Sequence, residues 1–418
     1  MCADRANRPL GYARGFPIGT EGLSVTDIAA QDWTVPHDFS TPIAVLDGDA
    51  LDHNAARMAR WCADHGVELM PHGKTTMAPT LFALQLAHGA TGLTAATPAQ
   101  ARFMFASGIR AVQLANQFVQ PADARHIAEL LARDAGLAFT CWVDSPQGVD
   151  ILQAAGREAG VTFDVLLEVG APGGRSGCRT DQARAAVVAT VQDATHVRLA
   201  GVAGWEGAYA SARDDQSLAR VRSFLRSVRA AAEELRAEGA AGTDAPIVLT
   251  AGGSMFFDLV AEELGSGWAP GTARVVLRSG CYLAHDHEHY RQNSPLDGSG
   301  VDDPLRPALS VWGTVLSRPE PELVLVDAGR RDISFDAGLP VPLAHLAAEG
   351  SVPELLADVR VTALNDQHAF LDVPADHTLA VGDRVQLGIS HPCTTFDKWR
   401  AIPVVREGAV TDVVHTYF

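Results

Sequence analysis

Three short constellations have residue types that could do chemistry together. The first is MPHGKT (70–75), which closes a short apolar run at 67–70. A lysine beside apolar residues at the end of a barrel strand can have a lowered pKa and form a Schiff base with an aldehyde. Lys74 is therefore the candidate amine, against the plainer alternative of a solvated loop lysine. The second is TAGGS (250–254), directly after the apolar residues 247–249. Paired glycines let backbone N–H groups approach an anion, and Ser254 can donate a further bond and cap the next helix. The third is SHPC (390–393), with NDQH (365–368) upstream. On a strand, residues two apart face the same side, so His391 and Cys393 can converge on one ion. Imidazole and thiolate are the ligands zinc prefers, and two of them suit a metal with open positions. His368 is then a third ligand, a general acid or base, or a buried polar residue.

Weaker candidates surround these. Arg175, in GGRSG (173–177), follows the apolar run 163–169 and could reach a barrel mouth. RSGCY (278–282) should end the last barrel strand near Gly252. In the run His285, Asp286, His287, Glu288, His289, strand alternation would put the three histidines on one face. A domain junction or subunit contact is a plainer reading of that run than a metal site.

The elements that must position these groups follow a rhythm. Residues 1–40 are irregular. From about residue 41, apolar runs at 43–46, 67–70, 92–95, 111–114, 137–143, 163–169, 200–205, 247–250 and 275–277 alternate with amphipathic segments. This is the signature of βα units around a parallel sheet. Asp49 is a candidate N-cap. Thr97-Pro98-Ala99-Gln100 is a capping box with proline in the first turn. Leu218, Val221, Leu225, Val228 and Leu235 form the stripe of a long helix that Gly239 should stop. Eight or nine strands fit a closed (β/α)8 barrel, with an open doubly wound sheet as the competitor. After about residue 286 prolines cluster and short strand-like pieces follow, which predicts a second, mostly β domain.

Lysine and arginine number 33 against 50 aspartates and glutamates, a net charge of −17. That balance disfavours nucleic acid and anionic membrane as partners. No run reaches the ~18 apolar residues of a membrane span. The N-terminal stretch lacks the apolar core of a secretory signal. Six cysteines (2, 62, 141, 178, 281, 393) without a CxxC pair are too sparse for a disulfide scaffold; reduced thiols and a cytoplasmic location are expected. All but Cys393 read as core or inert thiols.

TPIAVLD, MPHGKTTMAP, GATGLTAATPAQARFMFASGI, LEVGAPGGRSGC, LTAGGS, RSGCY, DQHA and SHPC occur in that order over about residues 40–400. Together they resemble the D-serine dehydratase/D-threonine aldolase family, pyridoxal-phosphate enzymes of the alanine-racemase barrel type. The resemblance implies an N-terminal segment (1–40) packed on the C-terminal domain, a cofactor-binding (β/α)8 barrel (41–285), and a mostly β domain (286–418) carrying a metal. It implies that Lys74 holds pyridoxal 5'-phosphate and acts as the base at the substrate Cα. Gly252, Gly253, Ser254, Gly280 and Tyr282 would hold the phosphate, Arg175 would orient the ring or its phenolic oxygen, and His72 would stand beside it. His391 and Cys393 would bind a divalent metal, zinc by preference, on the β-hydroxyl of a small D-amino acid, with His368 as a further catalytic residue. The family often has tyrosine where this chain has Trp205, which could still pack on the cofactor. Gly73, beside Lys74, would enlarge the pocket; both differences leave the substrate open. The implied reaction is loss of water to a 2-oxo acid and ammonia. The alternative is retro-aldol cleavage to glycine and an aldehyde. A racemase, which would need a second base, and a barrel-only cofactor carrier fit less well. A homodimer is the implied assembly.

Overall fold

The computed structural model describes residues 9–241, 245–298, 300–348, 350 and 352–418. Cys2 and the start of the 1–40 segment lie outside them. The chain forms two compact units, each discontinuous in sequence: Met1–Arg57 with Thr75–Leu84 and Cys281–Phe418, and Met58–Lys74 with Gln85–Gly280.

The apolar run at 43–46 forms β1 (Ile43–Asp47), but it is not the first barrel strand. It lies antiparallel to the strand Leu309–Glu320 and parallel to Ala401–Arg406, inside the sheet of the other unit. A run buried on both faces looks the same in sequence whichever sheet receives it. β1 runs directly into the helix Gly48–Asp64. The N-cap carboxylate is therefore Asp47, whose Oδ1 accepts from the Ala50 N–H at 2.9 Å, and not Asp49.

The barrel consists of β2 (Glu68–Leu69), β3 (Leu93–Ala95), β4 (Ala111–Gln117), β5 (Ala138–Val143), β6 (Phe163–Val169), β7 (Val197–Gly204), β8 (Ile247–Ala251) and β9 (Ala273–Leu277). All pairings are parallel, and the order β2-β9-β8-β7-β6-β5-β4-β3 follows the sequence around the ring. A bridge between His72 and Thr94 joins the two ends. A doubly wound sheet would reverse its strand order partway, so this order excludes it. Ala115, Trp142, Leu166 and Ala203 pack as one interior cluster. Helices start where the chain supplies caps. Thr97 accepts from the Gln100 N–H at 3.3 Å ahead of Pro98, although the Gln100 side chain returns to the Ala96 N–H and not to that of Thr97. The long helix Asp215–Ala237 buries Val221, Leu225, Val228 and Leu235, and the chain leaves it through Gly239 at φ +68°.

The other unit is mostly β. It adds β10 (Leu309–Glu320), β11 (Leu323–Val326), β12 (Val341–Leu346), β13 (Glu354–Leu355), β14 (Arg360–Leu364), β15 (Ala369–Asp372), β16 (Arg384–Gly388), β17 (Ala401–Arg406) and β18 (Ala409–His415). Its path runs β13-β12-β16-β10-β1-β17-β18, with β11, β15 and β14 branching from β10. Of the N-terminal segment, the described residues 9–40 belong here. Arg14 pairs with Asp332, and the Trp33 carbonyl accepts from the Val410 N–H at 2.9 Å. Among the described residues, no helix is long and apolar enough to cross a membrane.

Candidate active site and metal centre

β2 is two residues long, yet the chain stays alongside β9 beyond it. Met70 N–H donates to the Leu277 carbonyl (2.9 Å) and His72 N–H to that of Arg278 (3.1 Å). The 3-10 turn Gly73–Thr75 then carries Lys74, half-buried, at the C-terminal end of the strand. The Nδ1 of His72 is buried and has no hydrogen-bond partner. Burial, then the charges of Lys74, Arg278 and Arg175, hold His72 well below the ordinary histidine pKa, so its ring is neutral.

The glycine turn follows β8, with Gly252 at φ +97°, a conformation suited to glycine. The N–H groups of Gly252 and Gly253 both point at one acceptor, the carboxylate of Glu206, at 3.0 and 2.6 Å. Glu206 opens the 3-10 turn after β7 and is 1% exposed. The turn thus binds an anion as expected, but the anion is a side chain of the barrel itself. A phosphate is left Ser254 as the turn's remaining donor side chain unless Glu206 withdraws. Ser254 does not cap the helix Phe257–Gly265, whose N-cap is Phe256 with no side-chain bond.

RSG (278–280) does lie against this turn. Arg278 N–H donates to the Gly252 carbonyl (3.2 Å), and Ser279 Oγ donates to that of Gly253 (2.9 Å). Arg278 is 2% exposed and sits 4.8 Å over the Trp142 ring. It donates to Thr250 Oγ1 (2.8 Å) and the Gly204 carbonyl (2.7 Å), and burial lowers its pKa to about 10. Beside it, buried Glu168 accepts from Gln117 and from Ser176 Oγ (3.1 Å), and burial raises its carboxyl pKa. Arg175 is exposed, 4.3 Å above the half-buried Trp205 ring. A half-buried amine and an unpartnered buried imidazole nitrogen after β2, with the glycine turn and Ser254 after β8, one strand away across β9, fit pyridoxal phosphate.

In the mostly β unit, the expected strand at His391 and Cys393 is absent. β16 ends at Gly388, and the N–H groups of Ser390 and His391 both donate to Ser334 Oγ, at 3.1 and 3.0 Å. That fold-back, with Pro392 ahead of the short helix Cys393–Phe396, turns the two side chains together without β alternation. His391 Nδ1 lies 2.7 Å from Asp336 Oδ2. Cys281 joins them: one donor atom each from Cys281, His391 and Cys393 lie within 4.8 Å of one another. This is the one group of three or more such donors among the described residues. Its sulfur and imidazole donors suit a zinc-type ion.

The sequence predicts an inert thiol at Cys281, and the structure places it among the donors. The available signal was its place at the end of the last barrel strand, after RSG. Cys62, Cys141 and Cys178 are buried thiols whose pKa burial raises. The histidine run at 285–289 is not a strand and gathers no metal donors. His285 sits at φ +49°, bonded to Asp297 at 2.8 Å, and His289 begins a helical turn, so the expected common face does not form. His368 lies half-buried in the β14–β15 hairpin turn, outside the Cys281–His391–Cys393 group. Tyr282 and Gly280 are buried at the chain's passage from one unit to the other.

The comparisons agree with these two halves. The alanine racemase N-terminal domain model matches residues 46–260, and a serine dehydratase domain model matches 308–405. D-threo-3-hydroxyaspartate dehydratase of a Delftia species is 31% identical over 372 residues, covering 85% of this chain and 92% of the relative. D-threonine aldolase of an Arthrobacter species is 28% identical over 378 residues, covering 89% and 91%. The crystal structure of D-threonine aldolase from Filomicrobium marinum superimposes with a TM-score of 0.76 at 27% identity, covering 91% and 96%. With matching domain models, a 31%-identical relative covering most of both chains and the same barrel architecture, the chain belongs to the D-serine dehydratase/D-threonine aldolase family of pyridoxal-phosphate-dependent lyases, on the alanine-racemase-type fold.

Proposed function

We propose that the protein eliminates water from a small β-hydroxy D-amino acid, giving a 2-oxo acid and ammonia. The observation that carries this reading is the sulfur–imidazole donor group at His391 and Cys393 in a chain whose barrel presents Lys74. Thr75, the residue after Lys74, has its Oγ1 3.5 Å from Cys393 Sγ.

Lys74 holds the cofactor and takes the proton from Cα, and Trp205, Arg175 and His72 position the ring. Neutral His72 can donate or accept one hydrogen bond through its free nitrogen. Ser254, Gly280 and Tyr282 hold the phosphate, joined by the Gly252 and Gly253 N–H groups where Glu206 gives them up. When bound, pyridoxal phosphate supplies an electron sink for negative charge at Cα. His391 and Cys393 hold a divalent ion, zinc by preference, which supplies Lewis acidity to a hydroxide that is otherwise a poor leaving group. Asp336 fixes the tautomer and direction of His391. His368 is the candidate for a further proton-transfer role.

Retro-aldol cleavage is the second reading, because D-threonine aldolase is among the similar proteins. Assaying a panel of β-hydroxy D- and L-amino acids for 2-oxo acid, ammonia, glycine and aldehyde separates the two. Glycine with aldehyde and no ammonia replaces the elimination reading; no product from any D-substrate removes both. A homodimer is the implied assembly, checked by sedimentation.

A further inference from the structure

We propose that Cys281 is a third protein ligand of the ion, so that two thiolates and one imidazole hold it and a single position stays open for the substrate's β-hydroxyl. The inference rests on the lyase reading above and adds to it the number and kind of ligands.

Cys281 Sγ and Cys393 Sγ are 3.6 Å apart. A disulfide would need ~2.05 Å. Two sulfurs each ~2.3 Å from a tetrahedral zinc stand about 3.8 Å apart, so the observed spacing is close to one edge of such a site. The donor atom of His391 lies within 4.8 Å of both. Cys281 is 5% exposed and held at the start of a turn, its carbonyl accepting from the His285 N–H at 2.7 Å. The surroundings supply outer hydrogen bonds. The Tyr290 phenol bonds Cys281, Thr75 Oγ1 lies 3.5 Å from Cys393 Sγ, and Asp336 holds the far nitrogen of His391. Such outer partners orient ligands and tune the ion.

The third ligand changes what the centre is. A His–Cys pair leaves two or more positions to water. Two thiolates with an imidazole make the closed-on-three-sides set of a catalytic zinc, and the second sulfur favours zinc over magnesium or manganese.

The test is X-ray absorption on the zinc-loaded, full-length holoenzyme. Two sulfur scatterers at ~2.3 Å are expected. One sulfur, or a Cys281–Cys393 disulfide in the zinc-loaded protein, overturns the proposal. The cobalt(II)-substituted protein gives a second readout. Cys281→Ser should lose about half of the thiolate-to-cobalt absorption while the cofactor's visible band is unchanged; undiminished absorption overturns the proposal. The wild-type measurement stands even if the variant does not fold. Absence of a cofactor band in the wild type would instead count against the lyase reading, whatever the sulfur count.

Discussion

Asp336 Oδ2 lies 2.7 Å from His391 Nδ1 and leaves Nε2 as the nitrogen that can face an ion. Thr394 Oγ1 donates to the other oxygen of the same carboxylate at 2.5 Å, so Asp336 is itself held. Outer carboxylates of this kind are worth 10–100-fold in metal affinity. Asp336→Ala should weaken zinc binding by about that factor in chelator competition. The cofactor's absorbance should not move. An unchanged zinc affinity would show that the pair does not position a ligand.

Lys74→Ala should abolish both turnover and the visible band of the bound cofactor, with circular dichroism unchanged. Its 3-10 turn is anchored by backbone bonds to β9 and not by the lysine side chain, so the fold should survive. A retained band would place the amine elsewhere.

Glu206 satisfies two backbone N–H groups, and Glu206→Ala would leave both without a partner. The expected loss is about 2–4 kcal/mol in urea unfolding. If the cofactor's phosphate shares this turn, inorganic phosphate should restore part of that loss in the variant and little in the wild type. Equal effects in both would place the phosphate outside the turn.

Asp286 predicts a pH dependence. Burial pushes its carboxyl up to about 6 from 3.8, and Oδ2 has no partner while Oδ1 accepts from the Glu288 and Tyr290 N–H groups. The folded protein keeps this proton to higher pH than the unfolded chain, so the group's stabilisation is full below about pH 4 and is lost as pH rises to about 6. Two units correspond to ~3 kcal/mol. Asp286→Asn keeps an oxygen acceptor and removes the titration. Its stability relative to the wild type should rise by roughly that amount between those pH values. A parallel pair of stability curves would refute this.

The barrel was legible because βα alternation is a repeated, local signal, and its glycine turn and lysine stand where strand ends must be. β1 was misplaced because partner choice is not written in an apolar run. His391 and Cys393 were legible as a pair, but for the wrong local reason: the hydroxyl that folds the chain back is Ser334, more than 50 residues away. Cys281 and Glu206 were missed for the same kind of reason. One meets its partner thiol across 112 positions, and the other caps amides 46 and 47 residues on. Short motifs show what a residue can do, and only the fold shows what it meets.

The ring of strands is sewn shut at β2 and β3, where one is two residues long and the other three, and the joining bridge falls on His72. The amine proposed to hold the cofactor is therefore mounted on the thinnest stitching of the cylinder. Amide exchange should be fastest along that hem, giving the lysine slack that the six longer staves would deny it.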